Sequence, residues 1–277
     1  MKSNRIITII LIIAFLIGLC LLLYPKVSNY WNSIHQTREV NKYVEEVSRL
    51  DTEAYDRLLE NAREYNVLLN ERSNSYRLSD ELSSEYRSQL DISGTGVMGY
   101  IEIPVIGVSL PIYHGTSHAV LQKAVGHLDW TSLPVGGEDT HCVLSGHRGL
   151  PSSKLFTDLD KMREGDVFVL KVLNETLTYQ VDRILIVEPD DASFLVPESG
   201  KDLCTLVTCT PYGVNTHRML VRGHRIENEE AIKIAHITAD AVQIEPMMVA
   251  PVLFIIMLIL VLAVNAIIPR HRQGGNN

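Results

Sequence analysis

Two long apolar runs bracket this chain, and they constrain it more than anything between them. Ile6 to Leu23 is eighteen residues without a charge, and Met247 to Ile268 is twenty-two with Asn265 its one strongly polar member. At about 1.5 Å of rise per residue, each run is long enough to cross the roughly 30 Å hydrocarbon core of a bilayer as a helix. Lys2 and Arg5 precede the first run, Arg270 and Arg272 follow the second, and Asp240 and Glu245 stand before the second. Positive flanks stay in the cytoplasm. The expected topology has cytoplasmic tails at 1–5 and 269–277, transmembrane helices at 6–23 and 247–268, and the remainder on the extracellular face. The first run also has the charged start of a secretory signal, but Leu23-Tyr24-Pro25-Lys26 offers no small-x-small cleavage pattern, which favours an uncleaved anchor. A cleaved start would leave the intervening domain on the same side.

Between the runs the character changes three times. Trp31 to Leu69 has neither proline nor glycine and spaces Val40, Val44, Val47, Ala54, Leu58, Ala62, Tyr65 and Leu69 at near-helical intervals. That periodicity predicts one or two amphipathic helices within 24–71, packed on the following domain or standing as a stalk. Residues 72–96 scatter serines among charges and end at Ser93-Gly94-Thr95-Gly96, the composition of a linker or mobile, lid-like segment. From Val97 the pattern becomes short β-rich runs: 98–103, 108–113, 141–145, 167–173, 177–187, 203–208 and 219–225. Leu173-Asn174-Glu175-Thr176 reads as a hairpin loop, and Ser117 to Val125 and Ser153 to Leu159 as short helices. With no βαβ alternation, 97–227 is expected to be a mainly β, mainly antiparallel barrel, joined to the second span by a linker at 228–246.

The residues with chemical promise gather around Thr205 to Gly223. Cys209 lies where an apolar run breaks into Thr210-Pro211-Tyr212-Gly213, and Arg218 lies where the next run begins. A strand, a loop and a second strand would set them near the same end of neighbouring strands. A reactive thiol must be accessible and partly ionised, which calls for a nearby imidazole or cation. Arg218 offers the charge, with Arg148 and Arg222 as substitutes, and His147 in Leu144-Ser145-Gly146-His147-Arg148-Gly149 is the best imidazole. His217 adjoins Arg218 on the same run, so the two should face opposite sides. Cys142 and Cys204 read as buried small hydrophobes, although a disulfide between them is open. Cys204 lies five residues before Cys209, an odd offset that points the two to opposite faces. Cys20 falls within the first span. The ten histidines lack the paired spacing of a zinc site, so neither metal nor cofactor is expected.

The segments TLVTCTPYGVNTHRMLVRGHR, VLSGHRGLPSSKLFTDLDK and GVMGYIEIPVIGVSLPIYHGTS resemble signature segments of the sortases, cysteine transpeptidases of Gram-positive cell surfaces. Within that family they are most similar to class C, the pilus-assembling sortases, from about Val97 to Arg225. The resemblance implies a closed barrel of about eight strands in family terms. It also implies Cys209 as nucleophile, His147 as general acid/base and Arg218 as the oxyanion-side or substrate-positioning cation. The implied reaction cleaves a Leu-Pro-x-Thr-Gly-like sorting signal and passes the acyl group to a lysine amine of a pilin subunit. In class C a lid pinned by an Asp-Pro-aromatic motif often corresponds to residues 72–96; here no proline occurs between Pro25 and Pro104. Alternatives are a wall-anchoring sortase using a peptidoglycan-precursor amine, a hydrolytic cysteine peptidase, and a non-enzymatic surface receptor or assembly scaffold. The net charge of -8 disfavours a nucleic-acid partner.

Overall fold

The break between the first two helices is set by one side chain. Asp51 caps the second helix, its carboxylate accepting from the Ala54 N–H at 2.8 Å. A side-chain acceptor at this position satisfies one of the amides that a helix start leaves unbonded. In the computed structural model, which describes residues 2–71 and 78–228, α1 (Lys2–Ser48) therefore ends just before α2 (Thr52–Asn70) begins. The expected first tail, span and start of the stalk form one helix, which continues through Pro25. Among the described residues this is the one helix apolar and long enough to cross a membrane. The expected second span at 247–268, its tail, and the linker apart from Asn228 lie outside the described residues, as do 72–77.

Gln36, Val40, Tyr43 and Val47 are the buried face of α1, at steps of four, three and four. Val44, expected on this face, is exposed because it sits about 100° round the helix from Tyr43. Tyr43 docks α1 on the barrel: its hydroxyl donates to Met98 O at 3.0 Å and accepts from Leu173 N–H at 2.7 Å. On α2, Leu59, Ala62, Tyr65 and Asn66 are buried.

The segment expected to be a loose linker holds a packed helix, α3 (Asp80–Ser88). Ser79 caps it, Asp80 and Glu81 stand in its first turn, and Leu82 and Tyr86 are buried one turn apart. Of the serines that give the segment its linker composition, Ser79 is the cap and Ser84 and Ser88 are exposed on the outer face of the helix. Ser79 and the acidic first turn favour a helix start through hydrogen bonding and the helix dipole, a signal that bulk composition hides.

Eight strands close into a barrel: β1 (Val97–Ile103), β2 (Val108–His114), β3 (Val125–His127), β4 (Thr140–Ser145), β5 (Val167–Val172), β6 (Glu175–Val187), β7 (Asp202–Thr210) and β8 (His217–Ile226). Their order around the barrel is β1-β2-β3-β4-β7-β8-β6-β5, with β5 returning to β1. Six pairings are antiparallel, while β2 with β3 and β4 with β7 run parallel. The barrel is thus mainly antiparallel, as expected, with two parallel pairings. Each joins strands separated by a crossover rather than a tight turn, which is what parallel neighbours require. The β5–β6 turn is the expected hairpin, closing on the Val172–Glu175 pair.

β3 was not foreseen. The helix expected over Ser117 to Val125 stops as α4 (His118–Leu121), and Val125 already pairs with Ile112. In place of a helix over Ser153 to Leu159 there are turns, with Leu155 in the left-handed region at φ 39, leading into a short 3₁₀ helix at Leu159–Lys161. Inside the barrel, Phe168 stacks on Tyr179 with centroids 5.6 Å apart, beside Met98, Ile101, Leu144, Leu206 and Val221. The interior is packed, so a site must lie on an outer face or at a rim.

Candidate active site

Alternation along β7 decides which side chains reach the outside. Cys204 and Leu206 join the barrel core, while Val207 belongs to a separate cluster with Val143, Val187, Leu195 and Leu220 on the outer face. Cys209, two residues beyond Val207, therefore opens to that outer side and is partly exposed. Cys142 and Cys204 are register partners on β4 and β7, buried free thiols on the inner side. Burial pushes the Cys204 thiol well up from its ordinary value.

Cys209 stands directly across from Arg218 in the β7–β8 ladder, so both side chains leave the same face. The loop that joins the two strands begins with a cis Thr210–Pro211 bond. The Arg218 guanidinium donates to its own loop, to His217 O at 3.2 Å and Asn215 O at 3.4 Å. His217 faces away toward Glu188, at 3.3 Å.

His147 follows β4, and its backbone is fixed from three sides. Gly146 N–H donates to Val207 O at 3.0 Å, the Thr208 hydroxyl donates to Gly146 O at 2.8 Å, and Phe156 N–H donates to His147 O at 3.1 Å. Gly146 leaves room for the fully buried Phe156 ring, since a Cβ here would stand 2.6 Å from a ring carbon. His147 thus enters the same outer groove from the β4 end. Burial, and then the neighbouring charge of His118, pull its pKa below the ordinary imidazole value.

The groove has a volume of about 380 Å³ and is lined by His147, Cys209 and Arg218 together. Its apolar lining includes Leu128, Trp130, Val187, Leu195, Val207 and Leu220. One wall is the β6–β7 connection, which brings Pro189, Asp190 and Asp191 to the groove. Two polar anchors hold that wall. His141 donates from Nδ1 to Val196 O at 2.9 Å and accepts at Nε2 from the Thr205 hydroxyl at 2.7 Å. Arg222 binds Asp182 through two nitrogens, at 3.0 and 2.8 Å, and also Glu198 on the wall itself. Asp191 is held below the usual carboxylate range by the Ser193 hydroxyl and amide.

Of the three cations weighed from the sequence, Arg218 alone lines this groove; Arg148 pairs with Asp160, and Arg222 is engaged with Asp182 and Glu198. The groove wall, Trp130 and Thr208 were not singled out by the sequence. Pro189-Asp190-Asp191 signals a loop but carries nothing to say where that loop folds. Among the described residues, no three His, Cys, Asp or Glu side chains gather as a metal site.

A thiol, an imidazole and a guanidinium in one groove fit acyl-transfer chemistry through a thiolate, and the comparisons specify the family. Residues 101–226 match the sortase domain model. The crystal structure of sortase C1 from Streptococcus agalactiae superposes with a TM-score of 0.67 and 52% identity, over 69% of this chain and 99% of that one. The chain belongs to the sortase family. Sortase C of Streptococcus pneumoniae is 44% identical, with a TM-score of 0.62 over 69% of this chain and 97% of that one. Sortase D of Bacillus subtilis is 33% identical over 131 residues, which are 46% of this chain and 63% of that protein. As a sortase with class C structural neighbours, the protein is a cysteine transpeptidase.

Proposed function

We propose that this sortase is a membrane-anchored pilus polymerase in which Cys209 is the nucleophile, His147 the general acid/base and Arg218 the oxyanion-stabilising cation. The observation that carries the reading is the Cys209–Arg218 register pair, opening into the groove that His147 also lines. The Cys209 thiolate attacks the Thr carbonyl of a Leu-Pro-x-Thr-Gly-like signal. Arg218 faces the oxygen that becomes negative, and such a preorganised donor acts on charge that develops only in the transition state. His147 as imidazolium protonates the departing glycine amine, leaving a thioester. A lysine amine of a second pilin subunit then attacks, His147 takes its proton, and Cys209 leaves as thiolate, closing an isopeptide bond.

The apolar lining suits the Leu and Pro of the signal, while the ionised Asp191 beside Asp190 suits an incoming ammonium. The pneumococcal relative, whose structure bears on catalysis and pilin substrate specificity, supports the pilin assignment. The apolar start of α1 supports the anchor; the positive flanks Lys2, Arg5, Arg270 and Arg272 favour the barrel on the extracellular side and both termini in the cytoplasm.

Mass spectrometry of the protein incubated with a Leu-Pro-x-Thr-Gly peptide and a lysine-bearing pilin peptide tests the reading. The expected result is a thioester on Cys209 and an amine-linked product, both absent in Cys209→Ala. An amine-linked product that survives in Cys209→Ala overturns it.

A further inference from the structure

Beyond residue 23, α1 has two unlike faces. Ser28, Asn32 and Gln36, four residues apart, meet the barrel: Ser28 and Asn32 donate to Ser152 O at 3.4 and 2.7 Å, and Gln36 donates to Lys123 O at 2.9 Å and the Ser153 hydroxyl at 3.0 Å. Asn29 adds a bond on the same side, accepting from Lys154 N–H at 2.7 Å. Roughly opposite lies a stripe of Tyr24, Val27, Tyr30, Trp31 and Ile34, all exposed, with Tyr30 at 68% and Trp31 at 64%. At about 100° per residue, the stripe and the bonded set are centred about 150° apart around the helix. The barrel holds one face and cannot cover the other.

We infer that this stripe seats in the outer-leaflet interface of the membrane, so that α1 bends at Pro25, the part beyond the bend leans onto its aromatic face, and the barrel rides on the opposite face, turned to water. The stripe continues the apolar run that ends at Leu23, of which Ile10–Ile13, Leu16, Ile17, Leu21 and Leu22 are exposed. Tyrosine and tryptophan are the side chains that favour the boundary between hydrocarbon and headgroups. Leaning is a geometric requirement. Were α1 upright, Trp31 would stand about 12 Å and Ile34 about 16 Å above Leu23. The headgroup layer on each side of the hydrocarbon is only about 5–8 Å thick. An upright helix would leave most of the stripe in water, whereas a segment leaning from Pro25 places it at the boundary depth that amphipathic interfacial helices occupy, and the span before Pro25 stays upright enough to cross the hydrocarbon. The bonds from Asn29 and Asn32 end on residues 152–154, in the loop that follows His147. The leaning helix thereby sets the height and direction of the groove above the surface from which a membrane-tethered sorting signal emerges. This inference rests on the reading of Ile6 to Leu23 as an uncleaved anchor.

The test uses the full chain in phosphatidylcholine–phosphatidylglycerol vesicles, with Trp130→Phe so that Trp31 is the one remaining tryptophan. Intact mass and resistance to alkaline extraction first establish whether the anchor is retained; a cleaved chain removes both the anchor reading and the inference. With the anchor retained, Trp31 emission is expected to be blue-shifted and quenched more by spin labels near the headgroup than by labels deep in the acyl chains. Replacing Val27, Tyr30 and Ile34 by serine is expected to shift the emission to the red and reduce the lipid quenching while alkaline resistance persists. Emission that is red from the outset and quenched by aqueous iodide, not by lipid labels, means an upright helix and overturns the inference. Emission shielded from both quenchers and dependent on protein density means a second copy covers the stripe, which overturns it equally.

Discussion

Cys209 and Arg218 face each other across adjacent strands, while His147 lines their groove from just beyond a third strand, β4, that pairs with β7 in parallel. The thiol and guanidinium are therefore fixed by one hairpin, whose ladder sets their separation. The imidazole is fixed by the β4–β7 register and by the bonds that hold Gly146. Perturbations of the two arms should have separable effects.

Replacing Arg218 tests the hairpin arm. Arg218→Ala is expected to lower kcat for transpeptidation by about 10²–10³, the usual cost of removing a preorganised oxyanion donor. Arg218→Lys should recover only part of this, because an ammonium lacks the planar fork of a guanidinium. Single-turnover rates of thioester formation, with Cys209 alkylation as a check that the thiol is intact, would measure both.

Gly146→Ala tests the other arm. The new methyl would collide with the Phe156 ring, which is fully buried in a close-packed interior. The expected outcome is a loss of about 1–3 kcal/mol of stability, the usual range for overpacking. A fall in kcat should accompany it as the His147 loop moves. Urea unfolding alongside turnover would show both; an unchanged variant would mean that the loop gives way without consequence.

The pH behaviour of His147 follows from burial and from His118. Both disfavour the imidazolium, so its titration should fall below the ordinary value of about 6.5. The protonated fraction that can donate to the leaving amine is then lost as pH rises through that lowered value. His118→Ala removes the like charge and should move the His147 titration upward, with burial still holding it below the ordinary value. Histidine ring NMR titrations of wild type and His118→Ala would establish the direction; a downward move would exclude His118 as a perturbing charge.

The groove wall depends on Arg222. Truncation to Ala strands Asp182 and leaves Glu198 with Lys201 as its remaining ion pair. Breaking a partly buried ion network by removing one partner costs more than the pair's net worth, because the remaining charges lose their compensation. Arg222→Ala is expected to raise KM for the sorting peptide several-fold with a smaller change in kcat, since the bonds of Arg222 go to Asp182 and Glu198 and not to Cys209, His147 or Arg218. Steady-state kinetics separate the two; a pure kcat effect would place Arg222 closer to the chemistry than its bonds indicate.

Much of this architecture could be read from residue patterns, because strands with one buried face announce themselves by alternation. Seven of the eight strands were legible in this way, and so was the opposed facing of Cys204 and Cys209, which needs only a regular strand and an odd offset. β3 escaped because three residues, Val125 to His127, are too few to show a period, and the glycine between them lowers strand propensity. α3 escaped because its serines outweighed its cap and its single pair of apolar side chains. The groove wall was the least legible part. What fixes it, the bonds of His141 to Val196 and of Arg222 to Glu198, joins residues far apart in sequence that no local pattern links.

The alternation along β7 also decides how the protein meets an electrophile. Cys142 and Cys204 are shut within the barrel, Cys20 lies in the segment read as lipid-embedded, and Cys209 opens to the groove beside a permanent cation. A water-soluble thiol reagent thus encounters one modifiable sulfur in the folded barrel domain. A covalent probe shaped for the groove would report occupancy of that single atom, and the labelled fraction of a purified sample would count its competent molecules without any substrate being turned over.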